Sequence, residues 1–323
     1  MLRWGIVGLG NIAHSFTNDL VLLDGHTLQA VASRSMTKAQ AFAEAHNVMS
    51  FYDNYNDLFN DQDIDIVYIA TPHTSHKELS IDAMALGKHV LCEKPLAVSL
   101  CDVDDMIAAS KKYNKFLMEA MWSRFNPAII EVLKIIKNRI IGDVKYINAD
   151  FCFRRDVDLN HRLFNPNLAG GALLDVGIYP LFLSYLLLGQ PHQIKSSCIK
   201  HENGIDMQTS MLLDYKDANA VLNCGFLSNA DMEARINGTK GSIHIHKRWH
   251  ESQGYTLIKD KKETSYSIPK IGKGYSHEIL ECLSCIENGL SESPKWSHNN
   301  SLQLMTLMET IRKDNSIVYP FEK

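Results

Sequence analysis

The sequence has few of the features that mark secreted, membrane or nucleic-acid-binding proteins. Its 323 residues include only seven cysteines, an odd number without the spacing of a disulfide framework. The formal net charge is -4 and no long block of lysine and arginine is present, so nucleic acid is not expected as a partner. No apolar run is expected to span a bilayer, and no signal peptide is expected before the first strand. We therefore expect a cytoplasmic protein with free thiols and no membrane partner.

What is present is enough apolar sequence for sizeable hydrophobic cores. Apolar residues make up 45% of the chain and charged residues 22%, which is typical of a folded globular protein. At about 150 residues per domain, the length indicates roughly two domains.

A glycine-rich turn lies at the start of the chain. A short apolar strand at Arg3–Val7 precedes Gly8–Ala13, which has the pattern G-x-G-x-x-A and opens a helix. The first glycine of this pattern permits a tight turn, and the second lets the backbone approach a pyrophosphate at the helix N-terminus. The sequence therefore predicts dinucleotide binding, with contacts from Gly8, Gly10, Asn11 and Ile12.

The residues after the second strand bear on the choice of cofactor. NAD enzymes usually place an acidic residue here to bind the ribose hydroxyls. This chain has Ser33 and Arg34, with Lys38 shortly after. Because an arginine binds a 2′-phosphate through its fork of donors, we predict NADP as the cofactor, with NAD possible.

Strands continue to alternate with helices up to about Met121, which predicts parallel βαβ units and a doubly wound sheet. Residues 1–121 are thus predicted to form a Rossmann domain. Ligands of such sheets bind at the carboxyl ends of the strands. The further cofactor contacts predicted at those ends are Thr71, Pro72, His73, His76, Glu93, Lys94, Trp122 and Arg124. No metal site is expected, because His73 and His76 lack further ligands at a suitable spacing.

Lys94 is the most informative of these residues. It comes after the apolar strand His89–Cys92, separated from it only by Glu93, and precedes Pro95. Burying a lysine charge is unfavourable without a partner, so packing alone does not explain a lysine here. We predict that Lys94 points toward a bound ligand.

The C-terminal half has a different pattern. From Val144 onward strand follows strand with short turns, which predicts a large, mostly antiparallel sheet in an α+β domain over residues 122–323. The segment Ala220–Leu227 is apolar on both alternations and predicts burial on both faces. We therefore expect an open-faced sheet that forms a homodimer.

A glycine pair interrupts this domain. Gly170 and Gly171 read as a tight turn into a helix that carries Asp175 and Tyr179 four residues apart. At that spacing the two side chains share one helix face. A capping aspartate with a buried, hydrogen-bonded tyrosine would explain them structurally, whereas the functional interpretation is that this face meets the ligand near Lys94.

Four motifs occur together: Gly8–Ala13, Ala70–Pro72, Glu93–Pro95 and Gly170–Tyr179. With them the chain resembles the glucose–fructose oxidoreductase, inositol dehydrogenase and rhizopine-catabolism (Gfo/Idh/MocA) family over nearly its whole length. Most members carry histidine where this chain has Tyr179. That difference, with Glu119–Phe125, resembles the branch of dimeric dihydrodiol dehydrogenases and NADP-dependent D-xylose 1-dehydrogenases.

The resemblance implies a dehydrogenase that acts on a CH–OH group of a sugar, polyol or cyclic diol, or on a dicarbonyl in the reverse direction. It places Lys94 near the nicotinamide, faced by Asp175 and Tyr179, and implies a cis peptide before Pro95. An ammonium beside a tyrosine lowers the pKa of its hydroxyl, so Tyr179 is the predicted acid/base, with Lys94 as electrostatic partner and Asp175 as orienting group.

Two points stay open at this level. Lys94 could transfer the proton itself, and the chain could be a cofactor-binding regulator or a redox-neutral sugar-modifying enzyme with a tightly held cofactor. The substrate residues predicted from the sequence are Lys94, Trp122, Phe153, His161, Asn165, Asp175 and Tyr179.

Overall fold

The computed structural model describes residues 1–322, which form two compact units. The first unit contains Met1–Trp122 and Ile271–Leu302, and the second contains Ser123–Lys270 and the chain from Gln303 onward. Sequence analysis assigns Ile271–Leu302 to the second domain, whereas its contacts group it with the first unit. The physical reason is the buried Asp19 carboxylate, which binds backbone amides at the start of this returning segment.

Within residues 1–322, the first unit contains a parallel sheet of six strands in the order β3-β2-β1-β4-β5-β6. The strands are β1 (Leu2–Val7), β2 (His26–Ala32), β3 (Ser50–Tyr52), β4 (Ile66–Ile69), β5 (His89–Glu93) and β6 (Leu117–Ala120). The chain changes direction across the sheet between β1 and β4, and ligands of doubly wound sheets bind beside that point. The predicted Rossmann architecture is confirmed.

The helices of the N-terminal segment are α1 (Asn11–Leu20), α2 (Met36–His46), α3 (Tyr55–Asn60), α4 (His76–Ala85) and α5 (Leu100–Tyr113). Local capping explains where several of them begin and end. Ser99 Oγ accepts a hydrogen bond from the Asp102 amide at 3.2 Å and starts α5, as its sequence predicts. Gly87 follows α4 with a φ of +86°, a left-handed conformation that glycine adopts without strain.

The second unit contains a sheet of eight strands within the described residues, in the order β14-β13-β12-β11-β7-β10-β9-β8. The strands are β7 (Val144–Cys152), β8 (Gln193–Lys200), β9 (Asp206–Asp214), β10 (Asn219–Gly225), β11 (Ala234–Gly238), β12 (Gly241–Ile245), β13 (Gly254–Lys259) and β14 (Lys262–Ser267). The pairing of β10 with β7 is parallel, and the other pairs are antiparallel. The predicted mostly antiparallel sheet is confirmed.

The remaining helices are α6 (Pro127–Lys137), α7 (Ile178–Leu188), α8 (Ser276–Glu287) and α9 (His298–Asp314). Helix α8 belongs to the first unit, and the boundary between the units falls within α9. Asn126 caps α6 by accepting a hydrogen bond from the Ala128 amide at 2.8 Å, with Pro127 at the favourable first position.

Within a single chain, the predicted burial of β10 is met on one of its two faces. Ala220, Leu222 and Cys224 are completely buried, whereas Val221 and Asn223 on the opposite face are only half-buried. The strand therefore alternates, because only one face of this sheet lies on the core.

Two expectations about the segment that leads into α7 need correction. Asp175 does not lie on a regular α-helix, because Leu173–Gly177 forms a π-helix that continues into α7. A π-helix has a wider turn, so the spacing argument for Asp175 and Tyr179 does not apply in its simple form.

By length and composition, Pro166–Leu188 is apolar enough to cross a membrane, with 23 residues and a mean hydropathy of 1.7. Since 78% of its most apolar stretch is buried in the fold, it also fits the description of a core helix.

Candidate active site

The glycine-rich turn has the geometry that a dinucleotide requires. Gly8 has a φ of +89°, and a side chain there would meet the Ala70 carbonyl at 2.6 Å. Gly10 begins α1, and a Cβ atom on it would have nothing within 4 Å in the described chain. The first glycine is therefore needed for close packing of strand ends, and the second leaves open space at the helix N-terminus. These residues fit the pyrophosphate of a dinucleotide.

Arg34 places a positively charged side chain just after the end of β2. Arg34 is exposed, and its guanidinium makes a hydrogen bond to the Tyr55 side chain. Burial raises the pKa of the Tyr55 hydroxyl, and the neighbouring Arg34 charge counteracts that rise. Ser33 Oγ accepts a hydrogen bond from the Ser35 amide at 3.3 Å, which fixes the turn before α2. The exposed Lys38 lies in the first turn of α2.

His76 joins the loops that follow β4 and β5. Its ring is completely buried, with Nε2 at 2.9 Å from the Thr71 carbonyl and Nδ1 at 3.0 Å from the Pro95 carbonyl. Burial lowers the pKa of the imidazole. Because both ring nitrogens face backbone oxygens, the ring ties the loop after β4 to the loop after β5. His73, in the short helix after Pro72, is also largely buried and packs edge-on against His76.

Glu93 and Lys94 end β5, and the Lys94-Pro95 peptide bond is cis, as predicted. The Glu93 carboxylate accepts hydrogen bonds from the Tyr68 hydroxyl and, at 3.2 Å, from the Lys94 amide. The Lys94 side chain is partly exposed. Phe16 stacks on the Tyr68 ring at 3.8 Å and keeps that side of the cluster apolar.

Glu119 at the end of β6 was not identified as a site residue from the sequence. It is 3% exposed, and its carboxylate accepts hydrogen bonds from the Leu96 amide at 2.9 Å, the Trp296 indole at 3.0 Å and the Ser301 hydroxyl at 2.6 Å. Burial raises the pKa of Glu119, whereas its hydrogen bonds and the Lys94 charge lower it. Glu119 thus supports the Lys94 loop and supplies a counter-charge. A carboxylate ending an apolar strand is the signal that could have revealed it.

In the second unit, Asp175 is held by an arginine. Arg162 Nη1 donates to Asp175 Oδ1 at 2.7 Å, and the aspartate side chain is only 10% exposed. No recognisable motif marks this pair in the sequence, because Arg162 lies in the short helix Arg162–Phe164, 13 residues before Asp175. An Asp–Arg pair of this kind fixes the orientation of the carboxylate.

Tyr179 lies in the first turn of α7 with an aromatic neighbourhood. Its ring centroid is 5.3 Å from that of Phe151 and 5.2 Å from that of His250, and the tyrosine is 6% exposed. His250 stacks on Phe151 at 4.3 Å. Sequence analysis missed His250, which lies in a short helix between β12 and β13 without a recognisable motif.

The glycine pair supports this part of the second unit. Gly171 has a φ of +128°, and a Cβ atom there would lie 2.3 Å from Asp206 Oδ1. Asp206 is buried and accepts hydrogen bonds from the Leu173 amide at 2.7 Å and the Thr209 hydroxyl at 3.0 Å. Burial raises the pKa of Asp206 to about 6. The absence of a side chain at Gly171 therefore allows Asp206 to anchor the π-helix that carries Asp175.

The other predicted substrate residues occupy separate places. Phe153 follows β7 and packs against Phe226 at 5.2 Å. The side chains of His161 and Asn165 accept hydrogen bonds from nearby amides and cap short helices, which gives them local structural roles. Burial and the charges of Arg155 and Arg162 lower the pKa of His161. In the first unit, Trp122 stacks on Tyr275 at 4.7 Å. Arg124 lies in the short helix Trp122–Phe125 and is half-buried.

Comparison with known proteins identifies the family. A family described as "Oxidoreductase family, NAD-binding Rossmann fold" matches residues 2–121, and the GFO/IDH/MocA C-terminal domain matches residues 129–244. The chain belongs to the Gfo/Idh/MocA oxidoreductase family. This membership confirms the family predicted from the motifs and makes the protein an oxidoreductase with a NAD-binding fold.

Among curated relatives, the mouse trans-1,2-dihydrobenzene-1,2-diol dehydrogenase is 36% identical, covering 100% of this chain and 99% of its own length. Two solved structures are similar in fold. One is an aldose–aldose oxidoreductase from Caulobacter crescentus (25% identity, TM-score 0.88, 97% of this chain and 96% of that chain). The other is a variant of KijD10, a 3-ketoreductase from Actinomadura kijaniata, in complex with TDP-benzene and NADP (22% identity, TM-score 0.88, 97% of each chain).

Proposed function

We propose that this protein is an NADP-dependent dehydrogenase that interconverts a carbinol and a carbonyl on a cyclic diol, sugar or polyol. The observation that carries the proposal is the position of Lys94, which directly follows β5 at the same sheet edge as the glycine-rich turn. The full-length similarity to dihydrodiol dehydrogenases supports a vicinal diol as the substrate class.

The proposed cofactor site combines backbone and side-chain groups at that edge. The turn Gly8–Ile12 binds the pyrophosphate, and Ser33, Arg34 and Lys38 bind the 2′-phosphate. Thr71, Pro72 and His73 line the nicotinamide side, supported by His76, and Glu93, Trp122 and Arg124 complete the site. When bound, the nicotinamide accepts or donates the hydride.

The protein's own contribution is the handling of one proton. Tyr179 takes the proton from the substrate hydroxyl in the oxidative direction and returns it in the reductive direction. Lys94 donates a hydrogen bond to the substrate oxygen and favours the phenolate form of Tyr179 by its charge. Asp175, held by Arg162, orients these groups, and Phe153, His161 and Asn165 contribute to substrate binding.

A comparison of Tyr179→Phe with Lys94→Met tests the assignment. We expect both variants to lose at least about 100-fold in kcat/KM with trans-dihydrodiols, because general acid–base catalysis is worth about 10²–10⁴-fold. If Tyr179→Phe keeps nearly full turnover while Lys94→Met does not, Lys94 transfers the proton. Full activity in both variants would refute the proposed site.

The cofactor preference has its own test. Arg34→Ala is expected to raise the KM for NADP at least about tenfold, since the loss of a charged hydrogen bond costs about 1.5–3 kcal/mol. The KM for NAD should change much less. Lys88→Met serves as a control because Lys88 binds carbonyl groups near β4 instead. Equal use of NAD and NADP, unaffected by Arg34→Ala, would contradict the assignment.

We further propose a cytoplasmic homodimer that forms through the outer face of the second unit's sheet. On that face Val221 pairs with Leu212, which is 38% exposed, and Tyr146 is 39% exposed on β7. Leu212→Lys is expected to shift the protein to monomers in sedimentation velocity, whereas Val21→Lys on the first unit should not. A wild-type monomer at working concentration would refute the dimer. The proposed cytoplasmic compartment is supported by the seven free cysteines, all within the described residues, because free thiols persist in a reducing environment.

A further inference from the structure

Glu278 is a carboxylic acid in the interior of the first unit. Its exposed fraction is 0%, and within residues 1–322 neither carboxyl oxygen has a hydrogen-bond partner. An ionised carboxylate without donors is very unfavourable in such a place, whereas a neutral acid is far less so. The proposed roles of Lys94, Tyr179 and Asp175 do not account for a buried acid without donors at Glu278.

The start of α8 shows why Glu278 has no donor. Glu278 is the third residue of the helix, where a glutamate normally reaches back to the backbone amide of the capping residue. Here that amide belongs to Tyr275 and donates to Asp19 at 2.8 Å. Asp19 also accepts from the amides of Gly274 at 2.9 Å and Ser276 at 3.2 Å. The helix terminus is therefore already occupied by one carboxylate.

Neighbouring buried acids differ from Glu278 in this respect. Asp19 accepts from backbone amides, and Glu119 accepts from an amide, an indole and a hydroxyl. Glu93 accepts from the Tyr68 hydroxyl and the Lys94 amide. Each of these three acids thus has hydrogen-bond donors, whereas Glu278 has none within the described chain. A proton in this region would therefore reside on Glu278.

The surrounding charges act in the same direction. Burial, with the negative charges of Glu93 and Asp19, raises the pKa of Glu278 well above its ordinary value. Burial and the charge of Glu93 likewise raise the pKa of the Tyr68 hydroxyl well above its ordinary value. The titratable groups that interact with Glu278 are Asp19 on α1, Tyr68 on β4, Glu93 on β5 and Cys282 on α8.

We propose that Glu278 holds a proton at neutral pH and forms an acidic pair with Glu93 that carries one negative charge, located on Glu93. The ionised Glu93 then accepts the hydrogen bonds that fix the turn before Lys94. Glu278 is thus a positioning residue that acts on Lys94 through Glu93. This catalytic consequence rests on the proposed function, whereas the protonation of Glu278 does not.

Infrared spectroscopy tests the protonation directly. The wild-type protein at about pH 7.5 should show the carbonyl band of a buried, protonated carboxylic acid, and Glu278→Gln should lack it. In Glu93→Gln the band should titrate at lower pH, because the neighbouring charge is gone. Glu281→Gln is the matched control: Glu281 lies one turn further along α8 and is 5% exposed, but it pairs with Lys295. The band should persist in this variant.

The melting temperature should change in opposite directions in Glu278→Gln and Glu281→Gln. A folded-state pKa above the unfolded value gives stability that is lost as pH rises through the folded pKa. Glu278→Gln has no acid that destabilises the fold as pH rises, so it should melt several degrees above the wild type at neutral pH. Glu281→Gln loses the pair with Lys295 and should melt below the wild type. Glu278→Met provides a second variant without a titrating or polar group, and it should also remove the loss.

Absence of the band in the wild type, or its survival in Glu278→Gln, would overturn the acidic pair, as would melting of Glu278→Gln below the wild type. The positioning role predicts that the pH profile of kcat/KM shifts in Glu278→Gln and not in Glu281→Gln, and an unchanged profile overturns that role. Full activity of Lys94→Met would refute the proposed function instead, because the infrared and melting results do not depend on turnover.

Discussion

The neutral form of His89 is required at the start of β5, and this makes a quantitative prediction about acid stability. His89 Nδ1 accepts a hydrogen bond of 3.0 Å from the Phe116 amide, which a doubly protonated ring cannot do. Burial, together with the Lys115 charge, lowers the pKa of the ring from 6.5 to about 4. Between these two pKa values, His89 is therefore neutral in the folded protein and protonated in the unfolded chain.

The sign and size follow from linkage. Because the folded pKa lies below the unfolded one, stability is lost as pH falls below about 6.5, until both states are protonated below about pH 4. Between about pH 7.5 and about pH 5 the two pKa values correspond to about 2 kcal/mol. The ring is not completely buried, so solvent screening reduces our expectation to about 1 kcal/mol.

The substitution His89→Asn isolates this effect. Its side-chain oxygen can replace Nδ1 as the acceptor for Phe116, but it does not titrate. We expect wild type to lose about 1 kcal/mol more than His89→Asn in urea unfolding between about pH 7.5 and about pH 5. Fluorescence of Trp4 and Trp296 reports on the first unit. The exposed His192 provides the control substitution His192→Asn, which should follow the wild type.

An equal pH dependence in wild type and His89→Asn would refute this reasoning. A loss confined to His192→Asn would contradict it equally, because that histidine lies at the surface of the second unit.

Three further predictions follow from single buried contacts. Asp19→Ala should lower the free energy of unfolding by about 3–5 kcal/mol, because buried amides at the start of α8 lose their acceptor; urea titration should show a smaller loss in Asp19→Asn. Gly171→Ala should cost about 2–4 kcal/mol, measured by thermal unfolding, because its Cβ meets Asp206, whereas Gly189→Ala has open space and should cost about 1 kcal/mol. Glu119→Gln should lower kcat/KM about tenfold, since the loop after β5 loses a charged anchor, and steady-state kinetics that match wild type would contradict that role.

Much of the fold could be predicted because local patterns and the final structure agree. Leu100–Tyr113 has a capping serine, helical periodicity and a polar C-terminus, and the structure has a helix with those bounds. Most strands from β7 to β14 alternate between polar and apolar residues, and many of them are joined by short turns, so the type of sheet could be predicted as well. Strand β10 is apolar on both alternations, but composition does not show which face meets the core of its own chain.

The candidate site was predictable to the extent that a motif carries it. Gly8, Gly10 and Lys94 follow strands in recognisable patterns. Arg162 and His250 do not, and the contacts of Glu119 could not be predicted from its strand-end position, because the partners of all three are distant in sequence. Glu278 left a weak signal, since it lies on the same helix face as the buried Cys282.

The amino-acid sequence by itself determined the alternation of strands and helices, the glycine-rich turn and the lysine after β5, because backbone preferences and side-chain periodicity act over a few residues. Tertiary structure decided which partners hold the buried acids and which contacts orient the site residues. Asp19 takes the amides that Glu278 would otherwise bind, and Arg162 fixes Asp175. Burial and hydrogen-bond partners determine which acid holds a proton, and both arise only when distant segments pack together.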